Sequence, residues 1–209
     1  MQQESVIEQC LLRARAVSLN VSQPYTWASG WKSPIYCDNR KLLSLPIERD
    51  LVKSELCRVI FDVFPDAEGI AGVATAGIAW GAMVADQLKL PMVYVRPKPK
   101  DHGLGNQIEG QIVAGQRVVV VEDLVSTGKS SLQVCLALQE AGFHIEGMVS
   151  IFTYAFPDAE KAFQEAGITL HSLGSYPVLA AEALKRGLVQ ASQMDDLNQW
   201  RQYPATWGQ

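Results

Sequence analysis

The sequence predicts an α/β fold with a mostly parallel central sheet flanked by helices. Three observations carry that prediction. The run Val118-Val119-Val120-Val121 is continuously apolar, as a strand buried on both faces requires. It leads through a short polar loop into the helical pattern Leu132 to Leu138, and Gly69–Ala74 leads in the same way into an apolar helix from Ile78 to Leu88. From residue 130 the pattern alternates regularly: helix 130–141, strand 146–154, helix 157–166, strand 168–173, helix 178–187. Such alternation is the signature of parallel strands joined by crossover helices.

In chain order, Ile7, Leu11, Ala14 and Val17 recur at helical spacing and predict a helix over 5–18. Residues 25–40 read as short strands broken by Gly30 and Pro34, with large aromatics beside Lys32, Asp38 and Arg40. A second helix is predicted over 46–63, with Pro46 in its first turn. The strand at 69–74 and the helix from Ile78 are joined by Thr75-Ala76-Gly77, small residues that permit close approach of backbone to a ligand or a neighbouring strand. A strand over 91–95 then runs into a Gly- and Pro-rich loop, 96–110, carrying Arg96, Lys98, Lys100 and His102. Loops of that length in a compact domain are usually functional or disordered. A short helix is expected around 194–200, with Trp200 and Trp207 at the surface.

At 209 residues, with 48% hydrophobic and 19% charged residues, the chain is expected to be one globular domain over 1–209. Its net charge of −4 argues against a nucleic-acid or anionic-membrane partner. Cys10, Cys37, Cys57 and Cys135 are scattered without a C-x-x-C pair, as in a reducing compartment, and the first residues lack a signal-peptide pattern. A cytoplasmic location is therefore expected. The apolar run 69–85 is too broken by Gly and Ala to predict a membrane span. His144 and His171 have no metal-ligand spacing and read as structural or exposed.

The chemistry concentrates after the valine strand. Glu122 and Asp123 stand where a ligand sits in open α/β sheets, able to accept hydrogen bonds from sugar hydroxyls. Leu124-Val125-Ser126-Thr127-Gly128-Lys129-Ser130 then opens a helix, and loop amides with a helix N-terminus make an anion site. A P-loop is excluded, because the motif ending in Gly128-Lys129-Ser130 needs Gly at position 123, which is Asp. A dinucleotide loop at Gly103-x-Gly105 is excluded by Ile108 in place of the third Gly.

The stretch Glu122 to Ser130 resembles the phosphoribosyl-pyrophosphate (PRPP) signature of type I phosphoribosyltransferases. The segment Ser29-Gly30-x-x-Ser33-Pro34-x-Tyr36-x-Asp38-x-Arg40 resembles the N-terminal hood of the orotate phosphoribosyltransferase family, and Arg96, Lys100 and His102 resemble its mobile catalytic loop. The resemblance runs from about Tyr25 to Ser130. It implies a type I phosphoribosyltransferase fold with a small N-terminal hood within about 1–45. It further implies transfer of ribose 5-phosphate from PRPP to orotate, giving orotidine 5′-monophosphate and pyrophosphate.

By the same resemblance, Glu122 and Asp123 hold the ribose and residues 124–130 the 5-phosphate. Arg96, Lys100 and His102 neutralise the pyrophosphate, with Lys100, His102 and Asp123 the catalytic set. Ile35, Tyr36 and Ser126 meet orotate. Mg²⁺ is the implied cofactor, bound mainly through PRPP and water rather than by protein ligands. A homodimer with active sites shared between subunits is also implied. Two lysines common in the family are Ala28 and Ala76 here, and Ile151 to Phe156 lacks the arginine that often touches the orotate carboxylate. The alternatives are a transferase acting on another base, against which the hood motif argues, and a PRPP-sensing RNA-binding regulator, which needs a basic face that this acidic chain lacks.

Overall fold

The computed structural model describes residues 6–96, 107–111 and 113–208. The chain begins with α1 (Val6–Arg13), β1 (Val17–Leu19), β2 (Tyr25–Thr26), β3 (Lys32–Ser33), β4 (Ile35–Cys37) and a 3₁₀ turn, Asn39–Ser44. The body follows as α2 (Pro46–Val63), β5 (Gly69–Val73), α3 (Ala76–Leu88), β6 (Met92–Val95), β7 (Ile108–Glu109), β8 (Arg117–Val125), α4 (Lys129–Glu140), β9 (His144–Thr153), α5 (Pro157–Glu165), β10 (Leu170–Ser175), α6 (Tyr176–Lys185) and α7 (Met194–Gln202).

Six strands form one sheet in the order β10-β9-β8-β5-β6-β7. Every neighbouring pair is parallel except β6 and β7. The predicted mostly parallel sheet with flanking helices is thus observed. The valine run explains the centre of the sheet. Val119 and Val121 point into the core shared with α2, α3 and the N-terminal ribbons, while Val118 and Val120 point into the core under α4 and α5. All four are fully buried, each contributing roughly 1.5–3 kcal/mol of transfer free energy.

The predicted helix over 5–18 is corrected. It stops at Arg13 because Arg15 takes a left-handed conformation, φ 52°, and the Ala16 amide returns to the Leu11 carbonyl at 2.9 Å. That closure ends a helix. Val17, spaced like a fourth helical apolar residue, instead starts β1, which pairs antiparallel with β4 in the register Val17↔Cys37. Beside this ribbon, β2 pairs with β3. Together they form the hood.

The surface position expected for Trp200 is also corrected. It is fully buried, packed edge-on against Trp27, Tyr154, Phe156 and Tyr176 at centroid distances of 4.9–5.8 Å. Trp207 is partly buried, and its indole donates to the Asp196 carboxylate at 2.7 Å. The C-terminal helix therefore underpins the hood. Four polar residues in Asp195–Gln199 conceal that role, because an isolated tryptophan in polar sequence carries no periodic signal.

Candidate active site

The carboxyl ends of β5 and β8 lie side by side, each followed by a helix N-terminus. β8 runs on through the acidic pair to Val125, with Glu122 in register with Ser150 of β9. Glu122 is only 6% exposed. Its Oε1 accepts from the Asp123 amide at 2.9 Å and its Oε2 from the Ser131 hydroxyl at 3.3 Å. Burial first, then the neighbouring Asp123 charge, pushes the Glu122 carboxyl well above the usual range. Asp123 is also raised by burial, opposed by its bond to Glu122 and by the Arg40 charge. Both carboxyls are thus displaced toward the protonated form, Glu122 the more strongly. Sugar hydroxyls or a cation meeting this pair would favour its ionised form.

The loop after β8 turns at Gly128, φ 75°, the residue before α4. A Cβ there would also come within 2.8 Å of the Phe163 ring, so only glycine suits the position. Ser126 is partly exposed, and Thr127, Lys129 and Ser130 are exposed beside the first amides of α4. Val125 is fully buried and the Leu124 side chain packs on the core, so these two leave only their backbones for contacts at the loop.

The second turn, Thr75-Ala76-Gly77, opens α3 after a cis bond between Ala74 and Thr75. A Cβ on Gly77 would lie 2.6 Å from the Val121 carbonyl and 3.5 Å from the Glu122 Cα. Gly77 therefore lets α3 press its first turn against the acidic pair.

The hood reaches the same place. Asp38 accepts from the Arg40 side chain at 2.7 Å, and Arg40 is close enough to Asp123 to lower its pKa. Ile35 is fully buried, with its amide on Ser33 Oγ at 3.2 Å and its carbonyl accepting from Ser33 Oγ at 2.8 Å and Trp27 Nε1 at 3.3 Å. The Tyr36 side chain is 44% exposed and tilted against Tyr25. Tyr154, just after β9 in the stretch that lacks an arginine, is buried among Trp27, Phe152 and Phe156. Burial, with Cys37, Tyr36 and Asp123 nearby, raises its phenol far above its usual range.

Arg96 stands at the root of the 96–110 loop. Its amide donates to the Gln107 carbonyl and its carbonyl accepts from Gln107 Nε2, both at 2.9 Å, and its guanidinium lies 3.9 Å from Glu109. The end of the predicted loop is thus the short strand β7, antiparallel to β6. Lys100 and His102 lie outside the described residues. His144 is exposed at the amino end of β9, and His171 packs edge-on against Phe64, neither near the acidic pair. Among the described residues no three His, Cys, Asp or Glu side chains gather to hold a metal.

Three residues of this neighbourhood escaped the sequence reading. Asn39 was an unread position inside the hood motif, Ser131 followed the phosphate loop, and Tyr154 stood in an aromatic run. Only Asn39 had a local signal, a polar residue between two charged ones next to a strand.

A strand-end acidic pair, a glycine-turned loop opening a helix, and a second helix N-terminus alongside meet at the carboxyl end of the sheet. The family model that matches residues 66–161 is the phosphoribosyl transferase domain. The orotate phosphoribosyltransferase of Cytophaga hutchinsonii is 55% identical over 94% of this chain and 94% of its own length. The chain belongs to the orotate phosphoribosyltransferase family. Among solved structures, the orotate phosphoribosyltransferase from Aeropyrum pernix is 28% identical with a TM-score of 0.76, covering 88% of this chain and 100% of that one. Leishmania donovani UMP synthase superposes with a TM-score of 0.78 at 25% identity, covering 95% of this chain, which spans 42% of that longer protein.

Proposed function

We propose that this chain transfers the ribose 5-phosphate of PRPP to orotate, forming orotidine 5′-monophosphate and pyrophosphate in pyrimidine biosynthesis. The observation that carries this reading is the Glu122–Asp123 pair at the end of β8, Glu122 buried and Asp123 partly so, directly before the loop that opens α4. A ring nitrogen of orotate forms the new bond to the anomeric carbon. The bond from that carbon to pyrophosphate breaks, and its electron pair leaves with the pyrophosphate oxygen.

No protein nucleophile is needed. The work is positioning and charge stabilisation. Glu122 and Asp123 accept hydrogen bonds from the ribose hydroxyls, and their negative field favours the cation character that develops on the sugar. The amides of 124–130 and the α4 N-terminus hold the 5-phosphate. With Ala76 in place of a lysine, the α3 N-terminus contributes backbone amides to the pyrophosphate. Arg96, Lys100 and His102 neutralise the leaving group, Lys100 or His102 supplying a proton. Glu122 and Asp123 are the acids available to the water ligands of Mg²⁺, which when bound offsets pyrophosphate charge.

The assembly is a two-fold homodimer in which the loop bearing Lys100 completes the partner's site. A cytoplasmic location belongs to the same proposal, on the four scattered cysteines without a C-x-x-C pair. A base panel with PRPP and Mg²⁺ tests the reading. Orotate is expected to be consumed, with hypoxanthine and adenine inert. Turnover of a purine base without orotate turnover overturns it.

A further inference from the structure

The hood and the acidic strand are joined by one buried side chain. Asn39 follows β4 at the start of the 3₁₀ turn and is fully buried. Its Nδ2 donates to the main-chain carbonyl of Asp123 at 2.6 Å, across 84 positions of sequence. Its Oδ1 accepts from the Cys37 thiol at 3.2 Å. Both ends of the amide are thus engaged, one by the hood strand and one by the residue that carries the ribose-binding carboxylate. The amide of Asp123 is at the same time held by Glu122. The Asp123 main chain is therefore held at its amide by the side chain of the preceding residue, Glu122, and at its carbonyl by the hood.

We infer that Asn39 is a positioning residue that sets the distance between the hood, where the base lies, and Asp123, where the ribose lies. This rests on the reading of Glu122 and Asp123 as the ribose site. Transfer requires the base nitrogen and the anomeric carbon to meet within a narrow separation, and a misplacement of about 1 Å can cost on the order of a hundredfold in rate. In the proposed site most of the hold on PRPP comes from the amides of residues 124–130 and the two helix N-termini, and the Asp123 amide stays on Glu122 when Asn39 is lost. Loss of Asn39 should therefore injure the use of orotate far more than the binding of PRPP.

The experiment compares Asn39→Ala and Asn39→Ser with Asp123→Asn in the full chain. kcat/KM for orotate is measured by turnover, PRPP affinity with Mg²⁺ by titration calorimetry, and folding by thermal melting. Both Asn39 variants are expected to lose roughly tenfold to a hundredfold in kcat/KM for orotate, with PRPP affinity within about threefold of wild type. Unchanged kcat/KM, or a parallel loss of PRPP affinity, overturns the proposal. If Asp123→Asn alters neither quantity, the ribose-site reading fails instead. Should neither Asn39 variant fold, the wild type decides by NMR. The Asn39 side-chain amide protons are expected to exchange far more slowly than those of exposed Asn198, and equal rates overturn the link.

Discussion

The indole N–H of Trp200 donates to the main-chain carbonyl of Lys32 at 3.2 Å, joining the last helix to the hood across 168 positions. The ring also fills the space between Trp27, Tyr154, Phe156 and Tyr176. Removing it leaves a large cavity under the hood. Trp200→Ala is expected to cost about 3–5 kcal/mol, measured by urea unfolding. Trp200→Phe keeps most of the packing but drops the donor, and should cost about 1–3 kcal/mol, the range for a buried acceptor left without its partner. A loss below about 1 kcal/mol for the alanine variant would contradict the buried position.

Gly77 predicts a second, different failure. An alanine methyl there meets the Val121 carbonyl at 2.6 Å, a backbone atom that cannot step aside without moving β8. Overpacking of this kind costs roughly 1–3 kcal/mol. Because Val121 precedes Glu122, Gly77→Ala should also weaken PRPP binding, as read by calorimetry. A variant with wild-type stability and affinity would mean that the contact between α3 and β8 is looser than described.

Glu122→Gln separates stability from function. The buried carboxyl is raised in the folded protein, so its favourable contribution is present below the ordinary carboxylate pKa and is lost as pH rises through the folded value. The amide carries no such penalty. Glu122→Gln should therefore melt higher than wild type at pH 8, with the difference shrinking towards pH 4, while turnover falls. Thermal melts across that range check the sign. A gap that widens on acidification would contradict the burial-driven shift.

The raised carboxyls of Glu122 and Asp123 have a consequence for binding. Ribose hydroxyls and Mg²⁺ favour ionised acids, so PRPP should bind with net proton release. Calorimetry in two buffers of different ionisation enthalpy measures this. Proton uptake, or none, would mean that the pair is already fully ionised in the free protein.

Much of this was legible before the structure, for physical reasons tied to particular residues. Val118 to Val121 could only be a strand covered on both faces, and the polar loop after it had to mark the sheet's carboxyl end. Helices α2 to α6 follow from apolar spacing. What was not legible depends on contacts between distant parts of the chain. Arg15 adopts a left-handed φ that nothing in its neighbours demands, and so the first helix was read too long. Trp200 looks like a surface residue in Asp-Asp-Leu-Asn-Gln-Trp-Arg until the hood is folded over it. Asn39 acquires its meaning only from the Asp123 carbonyl. The acidic pair could be placed from sequence, but not the depth of its burial, which raises both carboxyls.

In the function proposed above, this site joins orotate to PRPP through the Glu122–Asp123 pair. Its most direct test is the loss of orotate absorbance on mixing with PRPP and Mg²⁺, run side by side for wild type and Asp123→Asn. Asp123→Asn keeps the shape of the side chain and removes its charge. Wild type should consume orotate only when both PRPP and Mg²⁺ are present, and the variant should lose roughly tenfold to a thousandfold in kcat/KM, about 1–4 kcal/mol of transition-state stabilisation. Orotate left untouched by wild type, or consumed equally fast by a folded Asp123→Asn, would contradict it.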